Sequence, residues 1–187
     1  MRCQVPAGTA TGTVRVMPRS RPLALDPIDE ARRHWSTHGW DEAAPGMGVL
    51  TSVMRVQQIF AARVDDVLRP FDLTFSRYEV LRLLGFTRRG SLPLGKLGER
   101  LQVHAASITN AIDRLEQQGL VQRRAHPSDG RAVLARITPA GRRLADKATE
   151  AINREVFGTL ELSAREHEDL YRLLRKIRRA AGDFESA

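Results

Sequence analysis

Cysteine is nearly absent from this chain: Cys3 is the one thiol in 187 residues, which excludes an internal disulfide framework and fits a reducing compartment. A peroxide-sensing role for Cys3 needs an ordered, electropositive setting, which a terminal arm is not expected to supply. No apolar run approaches the ~20 residues of a membrane-spanning helix, and none resembles a signal-peptide core. A cytoplasmic protein with no membrane partner is therefore expected. The chain also lacks a phosphate-binding loop, zinc-finger spacing and any Ser-His-Asp arrangement that stands out. His34 and His38, four apart with Asp41 and Glu42 following, have the spacing of a metal-ligand pair, but the segment is also simply a polar helix face and no other ligand cluster is evident, so no metal site is expected. Neither an enzyme nor a cofactor-dependent protein is expected. Acidic residues are in deficit, 22 against 30 basic, leaving a net charge of +8 and a pI near 10.8. That balance favours an anionic partner, and charge alone leaves nucleic acid and an acidic membrane surface both open. With 42% hydrophobic residues the chain can build one domain with a real core, and it is too short for two ordinary domains with a linker.

What is present is organised around residues 92–137, which read as a helix, a tight turn, a second helix and a basic hairpin. Leu101, Val103, Ile108, Ile112 and Leu115 recur at spacings that bury one side of two crossing helices. The opposite side of the second helix is small and polar: Ala106, Ser107, Thr109, Asn110 and Arg114 make a surface slim enough for a DNA major groove. Gly119 closes that helix. The period then becomes alternating in VQRRAH and RAVLARI, around the turn residues Pro127, Ser128, Asp129 and Gly130, which predicts a hairpin. Arg123, Arg124, Arg131, Arg136, Arg142, Arg143 and Lys147 face only Asp129 and Asp146 in this region. A slim polar helix beside a basic wing is a nucleic-acid footprint, and double-stranded DNA is the expected partner.

These residues carry a resemblance. Residues 94–143 resemble the winged helix-turn-helix of the MarR (multiple antibiotic resistance regulator) family of bacterial transcription factors, through DRLEQQGLVQRR, the wing tip PSDGR with its Asp129-x-Arg131 pair, and ITPAGR opening the next helix. The resemblance implies dimerisation through the terminal helices, a transcriptional role, and a wing-tip Arg131, held by Asp129, that reaches the minor groove; Arg124 joins the DNA-binding set. Within the family the chain is most similar to the urate-responsive branch. Carried over by position, that branch's tryptophan falls on Trp35, its acidic residue on Glu79 in SRYEVL, and its wing-base arginine on Arg123. The resemblance implies a flat anionic effector, urate-like or a related carboxylate; Ala111 stands where the branch has a recognition-helix arginine, and the loss of that cation implies weaker urate binding or preference for a different acid. Each residue has a plainer reading: Trp35 as a docking anchor, Glu79 as the capping-box partner of Ser76, Arg123 as a phosphate contact.

The flanks complete the expectation. Residues 1–24, rich in Gly, Thr, Pro and Arg, read as a disordered arm, with a start at Met17 and a minor-groove contact as open alternatives. Residues 26–40 form a short helix capped by Asp26 with Pro27 at its first position and docking through Trp35. Residues 47–68 are amphipathic, with a wide stripe of Leu50, Val53, Met54, Phe60, Val64, Val67 and Leu68. A helix over 71–86 begins at Thr74 or Ser76 and buries Val80, Leu81, Leu83 and Leu84; a scaffold helix follows, with Leu94, Leu97 and Leu101 inside and Lys96 and Arg100 outside. Thr138 and Pro139 open a helix carrying Leu144, Ala148, Ile152, Val156 and Leu160; Ser163 and Glu166 form a capping box for a last helix with Leu170, Leu173, Leu174 and Ile177. Surplus apolar faces at both ends predict a homodimer, the alternative being closure of one monomeric core.

The expected fold is mainly α with a small β wing: a winged helix-turn-helix with N- and C-terminal dimerisation helices. One domain spans 25–181, divided into N-terminal helices (25–70), the winged helix-turn-helix (71–137) and C-terminal helices (138–181), with a tail at 182–187. The expected function is a ligand-responsive repressor on a palindromic operator. A nonspecific architectural DNA binder is the alternative, and a protein-interaction module a third.

Overall fold

The structure, a computed structural model, describes residues 23–126 and 132–185. The expectations for the first 22 residues, Cys3 among them, and for Asp129 and Arg131 lie outside the described residues. The described residues divide into two compact units, one ending at Arg63 and the other beginning at Val64.

In the first unit, helix α1 (Pro27–Thr37) starts where its sequence requires: the Asp26 carboxylate accepts the Ile28 N–H at 2.8 Å, Pro27 holds the first helical position, and Asp29 and Glu30 complement the helix dipole. Gly39, at a φ of 80°, turns the chain. Trp40 then meets Trp35 edge-on, ring centroids 5.4 Å apart. Helix α2 (Ala44–Leu68) begins earlier than the expected residue 47, because Pro45 is tolerated in a first turn that needs no N–H donor. Its last turn belongs to the second unit.

The second unit holds the core. Helix α3 (Phe75–Phe86) is shorter than the expected 71–86: Arg69–Phe71 form a 3-10 turn, and Asp72 in the left-handed region breaks the helical path. Thr74 is the cap, its Oγ1 accepting the Arg77 N–H at 3.4 Å. The third helical residue is thus Arg77, and Glu79 is not the capping-box partner of Ser76. Strand β1 (Ser91–Pro93), helix α4 (Leu94–Leu101), helix α5 (Ala105–Gln117), strands β2 (Val121–Ala125) and β3 (Val133–Ile137), and helices α6 (Pro139–Glu155) and α7 (Ala164–Ala180) follow. The antiparallel sheet has the order β1-β3-β2, with Leu92 opposite Ala135 and Val121 opposite Ile137. The hairpin is as expected; β1 is an addition, three residues whose proline suits an edge strand and leaves no sequence period to read.

Leu68, Leu81, Leu84, Leu97, Ile112, Leu115 and Ile152 are fully buried in one cluster, each contributing about 1.5–3 kcal/mol of apolar burial. Tyr78 joins them and ties α3 to α6 through its hydroxyl, 3.0 Å from Thr149 Oγ1. Val103, expected inside, is 36% exposed, because Gln102 takes a left-handed conformation and swings the α4–α5 turn outward. The remaining caps follow the sequence: Gly119 has a φ of 70° after α5, Thr138 accepts the Gly141 N–H at 3.0 Å, and Ser163 and Glu166 form a reciprocal capping box. No residue of α7 is buried. Leu170, Leu173 and Ile177 on α7, and Leu50, Val53 and Met54 on α2, are exposed.

Candidate nucleic-acid interface

Helix α5 is amphipathic in the way its spacing requires. Ile108, Ala111, Ile112 and Leu115 face the core, while Ala106, Ser107, Thr109, Asn110 and Arg114 are exposed. The N-cap is His104, whose Nδ1 accepts the Ala106 N–H at 3.3 Å. Ser107, Asn110 and Arg114 share one wall of a cleft of about 670 Å³; the other wall is the start of α3, with Thr74, Ser76 and Arg77. Gln118 closes an end, donating to the Asp72 carboxylate at 2.6 Å. Thr109 stands apart from this group: its hydroxyl donates to the Ala105 carbonyl at 3.1 Å, and it borders a smaller hollow of about 240 Å³ with Gly98 and Val103.

The cleft adds Thr74 and Ser76, which the sequence offers only as helix caps, and Arg77, which the sequence does not single out. Thr74 and Ser76 supply hydroxyls and Arg77 a cation at a helix start, where amide N–H groups are unsatisfied and anions are favoured. The signal was the hydroxyl-x-hydroxyl-Arg run, but nothing in the sequence placed it beside α5. Arg77 Nε lies 3.3 Å from Thr74 Oγ1, so the arginine is already oriented along the cleft's α3 wall.

The hairpin separates its basic residues by strand alternation. Arg124 is exposed, its Nη2 donating to Gln122 Oε1 at 2.9 Å. Arg123 points the other way, with its side chain 28% exposed and forked between two carboxylates of α5: Nη2 lies 2.5 Å from Asp113 Oδ1 and Nη1 2.6 Å from Glu116 Oε2. Its backbone N–H also donates to Glu116, at 2.8 Å. That N–H, together with the guanidinium, holds the Glu116 carboxyl below its ordinary value. Arg142 is engaged internally as well, donating to the Gly85 carbonyl at 3.0 Å. Among the described residues, Arg123, Arg124 and Arg142, three of the cations counted towards a basic footprint, therefore already have intramolecular partners.

Of the residues assigned to an effector, Glu79 is half-buried on α3; burial raises its pKa, and it makes no hydrogen bond or ion pair among the described residues. Trp35 is half-buried against Trp40. Ala111 is 8% exposed and contributes to the cleft wall. His38 Nδ1 lies 2.7 Å from the His34 carbonyl oxygen, so that ring nitrogen is occupied by backbone. Among the described residues no group of three His, Cys, Asp or Glu is placed to hold a metal, and no helix is long and apolar enough to cross a membrane.

Comparison with known proteins agrees with this architecture. Residues 73–133 match the MarR family pattern. The organic hydroperoxide resistance transcriptional regulator of Bacillus subtilis is 34% identical over 108 residues, 57% of this chain and 69% of that protein. The matched stretch is 54% of the length of another B. subtilis regulator, at 38% identity. The crystal structure of Sco5413, a MarR family transcriptional regulator from Streptomyces coelicolor, superposes with a TM-score of 0.69 at 46% identity, covering 76% of this chain and 99% of that one. BpsR from Bordetella bronchiseptica, a protein whose DNA binding is regulated by 6-hydroxynicotinic acid, superposes with a TM-score of 0.63 at 25% identity, covering 69% of this chain and 91% of that one.

Proposed function

Because the chain belongs to the MarR family of winged-helix, DNA-binding transcriptional regulators, we propose that it is a homodimeric repressor that reads a palindromic operator and leaves it when a flat anionic ligand binds. The observation that carries the DNA reading is the exposed polar face of α5: Ser107, Asn110 and Arg114 lie along a cleft whose far wall offers hydroxyls and Arg77. Base edges would meet Asn110 and Arg114, the DNA backbone would meet the α3 start, and Arg124 with the wing-tip Arg131 would follow the flanking groove. Two copies related by a two-fold would present their recognition helices to half-sites about one helical turn, ~10 bp, apart.

Glu79, Arg123 and Trp35 are the proposed effector contacts, each supported on its own terms. Glu79 keeps an acceptor without a partner in a half-buried position, where a carboxylate is costly unless something else uses it. Arg123 already holds two carboxylates, so its geometry accepts a third acid in exchange. Because those carboxylates lie on α5, the exchange would loosen the recognition helix from the wing. Trp35 offers a ring face to a flat molecule. BpsR supplies a precedent for an aromatic carboxylate, and the urate-like or carboxylate class is proposed here on that basis. A strong shift between dimer states requires the ligand to discriminate between them by several kcal/mol.

The test is footprinting of the upstream region followed by release from the protected site across a panel of purines and aromatic carboxylic acids. Protection of a palindrome and release by at least one acid are expected. Uniform coating of any DNA would mean an architectural binder. Trp35→Ala should blunt the response to the active acid while leaving operator affinity unchanged. An undiminished response would remove Trp35 from the effector contacts.

A further inference from the structure

The end of α7 is folded into a small knot. Gly182, at a φ of 74°, lets the chain reverse, and the Asp183 N–H returns to the Arg178 carbonyl at 3.1 Å. The Asp183 carboxylate then accepts from Arg178 Nε at 2.6 Å. Phe184 lies under two guanidiniums, those of Arg175 and Arg178, at 5.0 and 5.4 Å from the ring centroid. These contacts fix the direction of the Asp183 carbonyl. That carbonyl accepts a hydrogen bond of 2.7 Å from Nε2 of Gln102, 81 positions earlier in the chain.

Gln102 is no ordinary surface residue. It is the left-handed residue of the turn between α4 and α5, at φ 55° and ψ 41°, a conformation costly for a side chain with a Cβ. Its backbone determines the angle at which α5 leaves α4. A strained turn residue held from outside by a second element is a place where the position of that element can be passed to α5. We propose that the turn at 182–184 is a strut that couples α7 to the helix-turn-helix, with Gln102 as a positioning residue for the recognition helix. A change in the placement of α7 would then be felt at α5 without passing through the wing. The functional consequence rests on the dimeric operator reading; the strut itself does not.

Hydrogen exchange of the 101–107 amides in the full-length protein tests it. Gln102→Ala and truncation after Gly182 should each speed exchange about two- to tenfold, the equivalent of one net hydrogen bond. The double variant should exchange no faster than the truncation alone, because both remove the same link. Phe184→Ala, which leaves the backbone intact and guards against general loss of structure, should move exchange in the same direction. Unchanged exchange in either the truncation or Gln102→Ala, or effects that multiply in the double variant, would overturn the strut. In parallel, operators with half-site spacing changed by one base pair should be discriminated less well by the truncated protein, by a similar factor. If the parent protein itself shows no spacing preference, the dimeric operator reading fails, and exchange still decides the strut.

Discussion

Asn110 and Glu79 show how differently a polar side chain behaves on an open face and in a half-buried one. Asn110 is exposed on α5, and among the described residues its amide makes no hydrogen bond, so it can hold adenine by two hydrogen bonds. Asn110→Ala should cost about 1–3 kcal/mol of discrimination between operator and random DNA. Competitive titration measures this, and equal weakening on both DNAs would reduce Asn110 to a backbone contact. Glu79 is destabilising by position. Its pKa is raised by burial in the folded chain, so as pH rises the unfolded state ionises first and folding loses stability through that interval. Glu79→Gln should therefore raise the thermal midpoint at pH 7, and the gain should disappear below about pH 4, where the carboxyl is protonated folded or unfolded. A lower midpoint for Glu79→Gln at pH 7 would mean that the carboxylate has a stabilising partner.

At the scale of elements, the junction between wing and α6 is a tight joint. A Cβ on Gly141 would fall 2.2 Å from the Leu120 carbonyl oxygen and 3.0 Å from Ile137 Cγ1, with backbone on one side and core on the other. Gly141 is needed because the first turn of α6 lies against the strand that follows α5, and Thr138 bonds the same Leu120 carbonyl. Gly141→Ala should destabilise by about 1–3 kcal/mol, the usual range for forcing extra volume into a packed site. Gly95→Ala is the contrasting case: its Cβ meets nothing within 4 Å, and alanine in a helix should stabilise by about 0.5–1 kcal/mol. Urea unfolding of the two variants should give shifts of opposite sign. Equal shifts would mean that the joint relaxes.

For the whole molecule the decisive quantity is the unpartnered apolar surface of α7. Leu173 and Ile177 are 51% and 54% exposed on a helix with no buried residue, although its capping box and dipole-matched charges are well formed. A helix finished at its ends and bare along its apolar face is built to be covered, and in the proposed dimer a second copy covers it. Leu173→Glu should give a folded monomer by sedimentation and circular dichroism. Operator affinity should fall roughly a hundredfold as the second half-site is no longer tethered, while weak binding to random DNA survives. A dimer that persists in Leu173→Glu would place the interface elsewhere.

Local chemistry determined what the sequence by itself determines well. The caps at Asp26, Thr138 and Ser163, the stop at Gly119, the two-sided character of α5 and the hairpin all depend on neighbours within a few residues, so they were legible from spacing and residue type. Tertiary structure decided what depends on distant partners. It brought Thr74, Ser76 and Arg77 opposite Asn110. It paired β1 with β3 although three residues carry no period, and turned Val103 outward through the left-handed Gln102. It also spent Arg123 on Asp113 and Glu116, because strand alternation places a side chain on a face but only packing decides which carboxylates wait there.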